Sequence, residues 1–473
     1  MSLSAKIRTL YRALWGALCS AFLLPGAVHA TVYSGDPSNY KTLLSQLAPG
    51  DTLRLAAGNY VRLTLDGIHG TAGAWITIAG PASGAPAVIQ GESCCNTVQF
   101  YGSSFVAIRN LSIDCLGLDV DAINAKSASS HHILIESCTL YNFGSSQQTV
   151  GISTKTACWN WIVRGNTILD AGTGMYFGNS DGSAPFIAGV IEGNLVRHPV
   201  GYCIQVKYQT PYSTVPEMPT GPSATIIRNN VLLKDDRPSP DGSRPNLLVD
   251  GFPDSGPGSA DLYEIYGNFL FYNSRESLFQ GSGRMTIHDN ILVGAASDQS
   301  AIYLTDHDAV LKLARVYNNT IYGGNRGVNF VNAPRESGAA VGNLIFATTP
   351  INLCGSCGAV VTSGNVDDAV GAAGNYVNQP STTPGSMDFY PKTSCVPCSG
   401  AALDLSPYSS DADYDLDFNG TRKGTFTVRG AYAGSGTNPG WSLNDALKLG
   451  GPSSSPGTGD PTSPSAITDL RAR

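Results

Sequence analysis

One short phrase recurs along this chain and limits its fold more than any other feature. An apolar pair, a polar turn and a second apolar pair appear as I-R-N-L-S-I at Asn110, I-E-S-C-T-L at Ser137, V-R-G-N-T-I at Asn166 and I-E-G-N-L-V at Asn194. The phrase continues at Asn230, Asn268, Asn290, Asn319 and Asn343, in steps of 27, 29, 28, 36, 38, 22, 29 and 24 residues. A unit this small buries its apolar side only against its neighbours, which is the condition for a solenoid. The apolar runs are too short for helices and end at Asn or Gly, so they read as strands. Asn and Gly suit a corner that needs a left-handed residue, and stacked Asn side chains can bond from coil to coil. Leucine-rich repeats would keep a constant period and a fixed Leu spacing. Variable coil length fits an all-β parallel β-helix whose insertions leave as loops.

Residues 1–30 read as a secretory leader. Lys6, Arg8 and Arg12 precede an apolar run from Ala13 to Leu24, and V-H-A ends at Ala30. Cys19 follows Leu18 rather than a small residue, which favours cleavage over lipidation. A secreted or periplasmic location is expected, with no membrane span elsewhere. Loss of the leader's three basic residues takes the formal net charge from −7 to −10. An acidic surface argues against nucleic acid as a partner. Charged residues are only 14% of the chain, which suits a β-rich exported protein better than a helical enzyme.

Four segments are expected: the leader 1–30, a β-helix over 31–350, a C-terminal cap region over 351–450, and a tail over 451–473. Pro37 to Ala48 reads as a short N-terminal capping helix, with Asp36 as its cap and Leu43, Leu44 and Leu47 on its apolar side. The stretches L-A-P-G-D-T-L-R-L-A-A-G-N-Y, G-I-H-G-T-A-G-A-W-I-T-I-A-G and F-V-A-I-R-N-L-S-I follow. This opening, over residues 31–114, resembles that of the pectate-lyase-like superfamily of secreted right-handed parallel β-helix proteins. It is most similar to polysaccharide lyase family six, the alginate lyases and chondroitinase B. The resemblance implies a right-handed helix and an acidic polysaccharide as partner, and it raises calcium as a candidate ion. In that family the catalytic strand carries paired Glu residues for calcium, with Asn-Lys-Ser and Arg-His-Gly on neighbouring coils. Here the strand reads G-Y-C-I-Q-V-K-Y-Q, with Gln205 near the place of a Glu. Only Lys207 carries over. The segment D-L-D-F-N-G-T-R-K-G-T-F-T-V-R-G-A-Y (415–432) resembles the close of many bacterial β-helix proteins, and P-S-A-I-T-D-L-R-A-R resembles the first strand of a fibronectin type III module.

Ten cysteines remain after the leader, and export makes disulfides the default. The spacing of Cys354, Cys357, Cys395 and Cys398 also fits a four-thiolate zinc site, which export disfavours. Cys94 and Cys95 are expected to pair with different coils. No metal ligands are assigned. Asp415, Asp417 and Asn419 imitate half of a calcium loop, but Phe426 stands where its Glu belongs, and a polar turn is the better reading. Asp114, Asp119 and Asp121 read as solvated loop carboxylates.

Aligning the strands after each Asn turn gives I-N-A-K (123–126), I-S-T-K (152–155), M-Y-F-G (175–178) and I-Q-V-K (204–207). Alternation puts Ile123, Ile152 and Ile204 inside, and Asn124, Lys126, Ser153, Lys155, Gln205, Lys207 and Gln209 outside. Lys126 and Lys155 are predicted on adjacent coils, with Lys207 two coils beyond Lys155 across the gap left by Gly178. Like charges at that separation are expected to lower one another's pKa and make a lysine a general base. Such a row also offers cations to the carboxylates of an extended polymer. Asp250, Arg275, Glu276, Gln280, Tyr303, Asp306, His307 and Asn329 lie further along the chain, and Tyr176, Tyr202 and Tyr208 are close by. A lone His such as His288 or His307 reads first as a bonded loop residue. The loops 211–223 and 235–246 are long enough to wall a groove.

The first expectation is a monomeric β-eliminating polysaccharide lyase. Lys207 is then the base, Tyr202 or Tyr208 the acid, and Arg275, Gln205 and Gln209 neutralise the uronate. Lys126, Lys155, Tyr176, Asp250, Glu276 and His307 are expected to bind substrate. One rival is a glycoside hydrolase built on Asp250, Glu276 and Asp306. The other is a non-catalytic carbohydrate-binding protein.

Overall fold

The computed structural model describes residues 30–448, so the leader (but for Ala30) and the tail fall outside the described residues. Three parallel sheets run the length of a right-handed β-helix. Sheet I runs from Val32–Gly35 to Val361–Ser363, sheet II from Gly58–Val61 to Val366–Asp368, and sheet III from Leu63–Asp66 to Thr349–Leu353. Each coil passes through them in that order: Ile162–Arg164, then Thr167–Leu169, then Thr173–Phe177. The interior is a stack of apolar side chains in register, such as Ile123, Ile152, Met175 and Ile204 on sheet III, all fully buried.

The repeated phrase is the corner from sheet I to sheet II. The residue that turns it is left-handed in every coil from Asn110 to Gly364, with φ between 52° and 66°. The next residue is the ladder Asn. Asn166 donates from Nδ2 to Asn194 Oδ1 at 3.0 Å and to the Ile135 carbonyl at 2.9 Å. The same pattern passes through Asn230, Asn268, Asn290, Asn319 and Asn343. Two anchors need correction. Asn110 and Ser137 are the left-handed residues, so the ladder positions in their coils hold Leu111 and Cys138. The ladder also has a further rung, Asn365, which accepts from Asn343 Nδ2 at 2.9 Å.

The N-terminal helix is shorter than expected, Tyr40–Leu44. Asp36 folds a turn ahead of it, its Oδ1 accepting from the backbone of Ser38 at 2.7 Å and of Asn39 at 3.2 Å. Tyr40 and Leu44 close the end of the core.

The cysteines also differ. Cys94 bonds to its neighbour Cys95, and Cys354–Cys357 and Cys395–Cys398 form two further local disulfides rather than a zinc site. Cys115, Cys138, Cys158 and Cys203 are free and buried. They serve as small apolar core residues, and burial pushes each thiol up to about 12.

After Asp368 the chain turns back along the outside of the rod. Phe389, Phe418, Tyr432 and Leu443 pack on the outward residues of sheet II, among them Val231, Phe269 and Ile291. Leu405 and Tyr408 pack on Tyr317, Ala339 and Val341 of sheet I. Lys448 fastens this cover near mid-rod, donating to the Gly267 carbonyl at 2.7 Å and to Asn229 Oδ1 at 3.0 Å. Asp417 is a structural acceptor within it, taking the backbone N–H of Asn419 and Thr421. Sheets I and II are thus overlaid from the C-terminal side, and the chemistry collects on sheet III. No helix of the described residues is long and apolar enough to cross a membrane.

Candidate active site

Two outward columns run along sheet III. The first contains Gln99, Asn124, Ser153, Tyr176, Gln205, Leu248, Gln280, Tyr303, Asn329 and Asn352, paired rung by rung. The second lies two residues further on, where backbone bonds set Lys126, Lys155, Gly178, Lys207, Asp250, Ser282 and Thr305 on successive coils. The expected lysine order is therefore found, including the gap at Gly178.

The lysines differ in environment. Lys155 lies over the Tyr176 ring, with Nζ 3.5 Å from the centroid. Burial lowers its pKa to about 8, against an opposing pull from Asp121. The cause is loss of water rather than repulsion by Lys126, so the expected reason is corrected. Lys207 is different. Its Nζ is ion-paired with Asp308 and lies 4.4 Å from the centre of the Tyr208 ring.

Asp308 belongs to the T-D-H-D turn that leaves the strand Ser300–Leu304. Its neighbour His307 gives Nδ1–H to Asp250 Oδ2 at 2.9 Å, and His307 Nδ1 is 3.5 Å from Asp308 Oδ2. Asp250 is 1% exposed and fully bonded, with Ser282 Oγ at 2.5 Å and the Gly251 N–H at 2.9 Å on its Oδ1. Burial pushes the Asp250 carboxyl up, but the bonds from His307 and Ser282 more than offset this and hold it below the ordinary value. The bond to Asp250 raises His307 above the ordinary imidazole value. The ring is 42% exposed, so its Nε2 side can meet a ligand. The atoms of Asp250, His307 and Asp308 lie within 4.8 Å of one another, compact enough for a cation. Ser282 and Gly251 already bond to Asp250 Oδ1 and Lys207 to Asp308 Oδ2, so an ion there would compete with these donors.

Tyr202 borders the cluster. Burial raises its phenol, Arg244 opposes that, and Asp250, Glu276 and Asp308 add to it. The Arg244 guanidinium is 5.6 Å from the Tyr202 ring centre and is held by the carbonyls of Ser243 and Asp241. Beneath it, the buried Lys234 donates to the Arg244 carbonyl at 2.8 Å. Burial also raises the Tyr176 phenol, to about 12.

Other expected residues lie elsewhere. Arg275 is on the exposed turn after Phe269–Asn273 and its guanidinium reaches the Asp236 carbonyl, at 3.5 Å, away from the patch. Glu276 accepts from the Ser277 N–H. The Gln209 amide is buried and donates to the Phe186 carbonyl and Tyr263 hydroxyl, which makes it a tie between the site strand and sheet I. Gln205 is 3% exposed. Asn124 and Ser153 bond to each other and to Asp121, which is a half-buried acceptor and not the solvated loop carboxylate expected. Asp306 accepts from the Leu311 N–H. His288 stacks between Tyr266 and Tyr317 on sheet I. Asp308, Ser282 and Arg244 were not expected. The only sequence sign of Asp308 was its place beside His307. A concavity of about 410 Å³ beside Tyr272, Asp298 and Tyr322 gathers no comparable set of groups. The site is therefore assigned by chemistry rather than by volume.

No family model matches the chain, and no curated protein matches it. Among solved structures it is similar to an alginate lyase from Paenibacillus sp., with 17% identity over 71% of this chain and 99% of that one, at a TM-score of 0.35. It is also similar to a GH136 lacto-N-biosidase from Eubacterium ramulus, with 11% identity over 72% and 68% and a TM-score of 0.45. The A-module of a mannuronan C-5 epimerase from Azotobacter vinelandii gives 18% identity over 69% and 93% and a TM-score of 0.43. Lyases of family six are also among these neighbours, and the three parallel sheets give the β-helix expected from residues 31–114.

Proposed function

We propose that this chain is an exported carbohydrate-active enzyme that cleaves an acidic, uronate-containing polysaccharide by β-elimination. One observation carries the reading. Lys207, Asp250 and the His307–Asp308 pair come from separate coils and converge on one outward patch of sheet III. Elimination needs a base for the proton next to the uronate carboxylate, a cation to steady the developing charge, and an acid for the leaving oxygen. His307 has the features of the base. Its Nδ1–H is committed to a buried carboxylate, so the free Nε2 is the acceptor. Lys207, paired with Asp308, suits the carboxylate better than the base role expected of it. Tyr202, kept protonated by burial, suits the acid role. In the step, Nε2 takes the C5 proton, the C5–H electrons form the C4–C5 double bond, and the C4–O bond breaks. The departing oxygen takes the tyrosine proton.

One further point supports elimination over hydrolysis. A hydrolase needs two carboxyl groups free to trade protons and attack. Both Asp250 oxygens accept bonds and Asp308 is tied to Lys207, which commits the two carboxylates of the patch itself.

The test is incubation of the purified chain with a panel of uronate polymers, following the ultraviolet absorbance of the unsaturated product. Wild type is expected to produce it, and Lys207→Met and His307→Gln to lose it. New reducing ends without that absorbance would assign hydrolysis instead. Solvent deuterium entering at C5 without cleavage would assign epimerisation, which shares the first step.

A further inference from the structure

The gap at Gly178 lies between two cations that differ in one respect. Lys207 has a carboxylate partner, whereas Lys155 makes no ion pair among the described residues and has the Tyr176 ring beneath its ammonium. A partly desolvated ammonium on an aromatic face, with donors unspent, is a seat for an anion. Gly178 itself has φ +99°, and a Cβ there would stand 3.1 Å from Lys207 Cβ and 3.2 Å from the Ala184 carbonyl. Gly178 is buried and carries no side chain, so no charged group stands between the two amines on that coil of the column. Tyr176 and Tyr208 flank it, each lying against one of the lysines.

Resting on the reading of the site as one for uronate polymers, we infer that Lys155 on Tyr176 is a separate carboxylate subsite. It lies two sugar residues from the sugar held at Lys207, with one sugar between them. Successive coils are about 4.8 Å apart, so the two column positions are separated by about 10 Å. One sugar per coil then places two sugars across that span. Three consecutive residues are then the shortest ligand that engages both amines. A dimer reaches only one.

Titration calorimetry on the full chain tests this, with uronate oligomers from dimer to hexamer and a neutral oligomer as control. Lys155→Met is expected to weaken the tetramer by about tenfold or more, since a charge-assisted bond is lost. Dimer affinity is expected to stay unchanged, and Lys155→Arg to bind the tetramer nearly as wild type does. For wild type, tetramer affinity is expected to fall as pH rises through about 8, where Lys155 loses its proton. That measurement needs no variant and stands if Lys155→Met fails to fold. Equal losses for dimer and tetramer, or none for either, would overturn the subsite. Length-dependent binding that Lys155→Met weakens, without any cleavage by wild type, keeps the subsite and sinks the lyase reading. Cleavage whose KM is indifferent to Lys155→Met does the reverse. Absence of binding to every uronate oligomer overturns both.

Discussion

Asn230→Ala places the ladder under a test whose size can be worked out bond by bond. Asn230 is fully buried in mid-ladder. Its Nδ2 donates to the Ile191 carbonyl at 2.8 Å and to Asn268 Oδ1 at 3.0 Å. Its Oδ1 accepts both the backbone N–H and an Nδ2 proton of Asn194, at 3.0 Å and 2.9 Å. Alanine leaves two buried donors on Asn194 unmet and takes one donor from Ile191. Each unmet buried group costs about 1–3 kcal/mol, so a loss of about 4 kcal/mol is expected. Asn365→Ala removes the same two acceptor contacts from Asn343. There the side chain is half-exposed at the end of the rod and water replaces it, so about 1 kcal/mol is expected. Urea unfolding gives the totals. Native-state hydrogen exchange locates the damage, because a solenoid can open by coils. Loss of protection is expected to concentrate in the coils of Asn194 and Asn268. If Asn230→Ala cost no more than Asn365→Ala, the ladder would follow the winding without supporting it.

Asp250→Asn tests the base assignment through pH. His307 is raised mainly by its bond to Asp250, so the acid limb of a wild-type pH–activity profile is expected above the ordinary imidazole value of 6.5, moving to lower pH in the variant. A limb that stays in place would show that another group sets it. The pair also adds stability. The His307 share is present below the unfolded imidazole value and fades as pH rises through the raised folded value. The Asp250 share is present above the unfolded carboxyl value and fades as pH falls through the lowered one. The difference in melting temperature between wild type and variant should therefore be greatest between those limits. Cys138→Asn tests the ladder by extension: Cys138 occupies a ladder position, its N–H already donates to Asn166 Oδ1 at 2.9 Å, and Leu111 N–H faces its sulfur. An added rung is expected to stabilise by about 1 kcal/mol in urea unfolding, and a loss would mean that the first coils are too tight for an amide.

The winding was legible because a single corner repeats. A left-handed residue followed by Asn is a local requirement, written in full wherever it occurs, and it survives loops of any length between corners. The misread anchors show the limit of this. In I-R-N-L and I-E-S-C the polar residue is the one that turns, and the ladder position has passed to Leu111 and Cys138, which a search for Asn cannot find. The alternation of sheet III was legible for the same local reason, and it put Lys126, Lys155 and Lys207 in their column. Local pattern could not say what each side chain would meet. Gln209 alternates outward like Lys207, yet the fold brings Phe186 and Tyr263 over it and seals it.

The chemistry of the patch depends on contacts of another range. Lys207 and Asp308 are 101 residues apart, and Asp250 and His307 are 57 apart. Nothing near any of the four announces its partner, and a histidine in a polar turn reads as an ordinary loop residue. What brings them together is the count of coils: Asp250 follows Lys207 on the next rung, Ser282 the one after, and the turn that carries His307 and Asp308 leaves the third. The helix pitch therefore acts as the ruler that assembles this site. An insertion that stays within a loop leaves the spacing intact, whereas one that adds a coil between Lys207 and the strand Ser300–Leu304 would move Asp308 about 4.8 Å along the axis. The C-terminal segment adds a second constraint, since among the described residues it packs on sheets I and II rather than on the columns of sheet III.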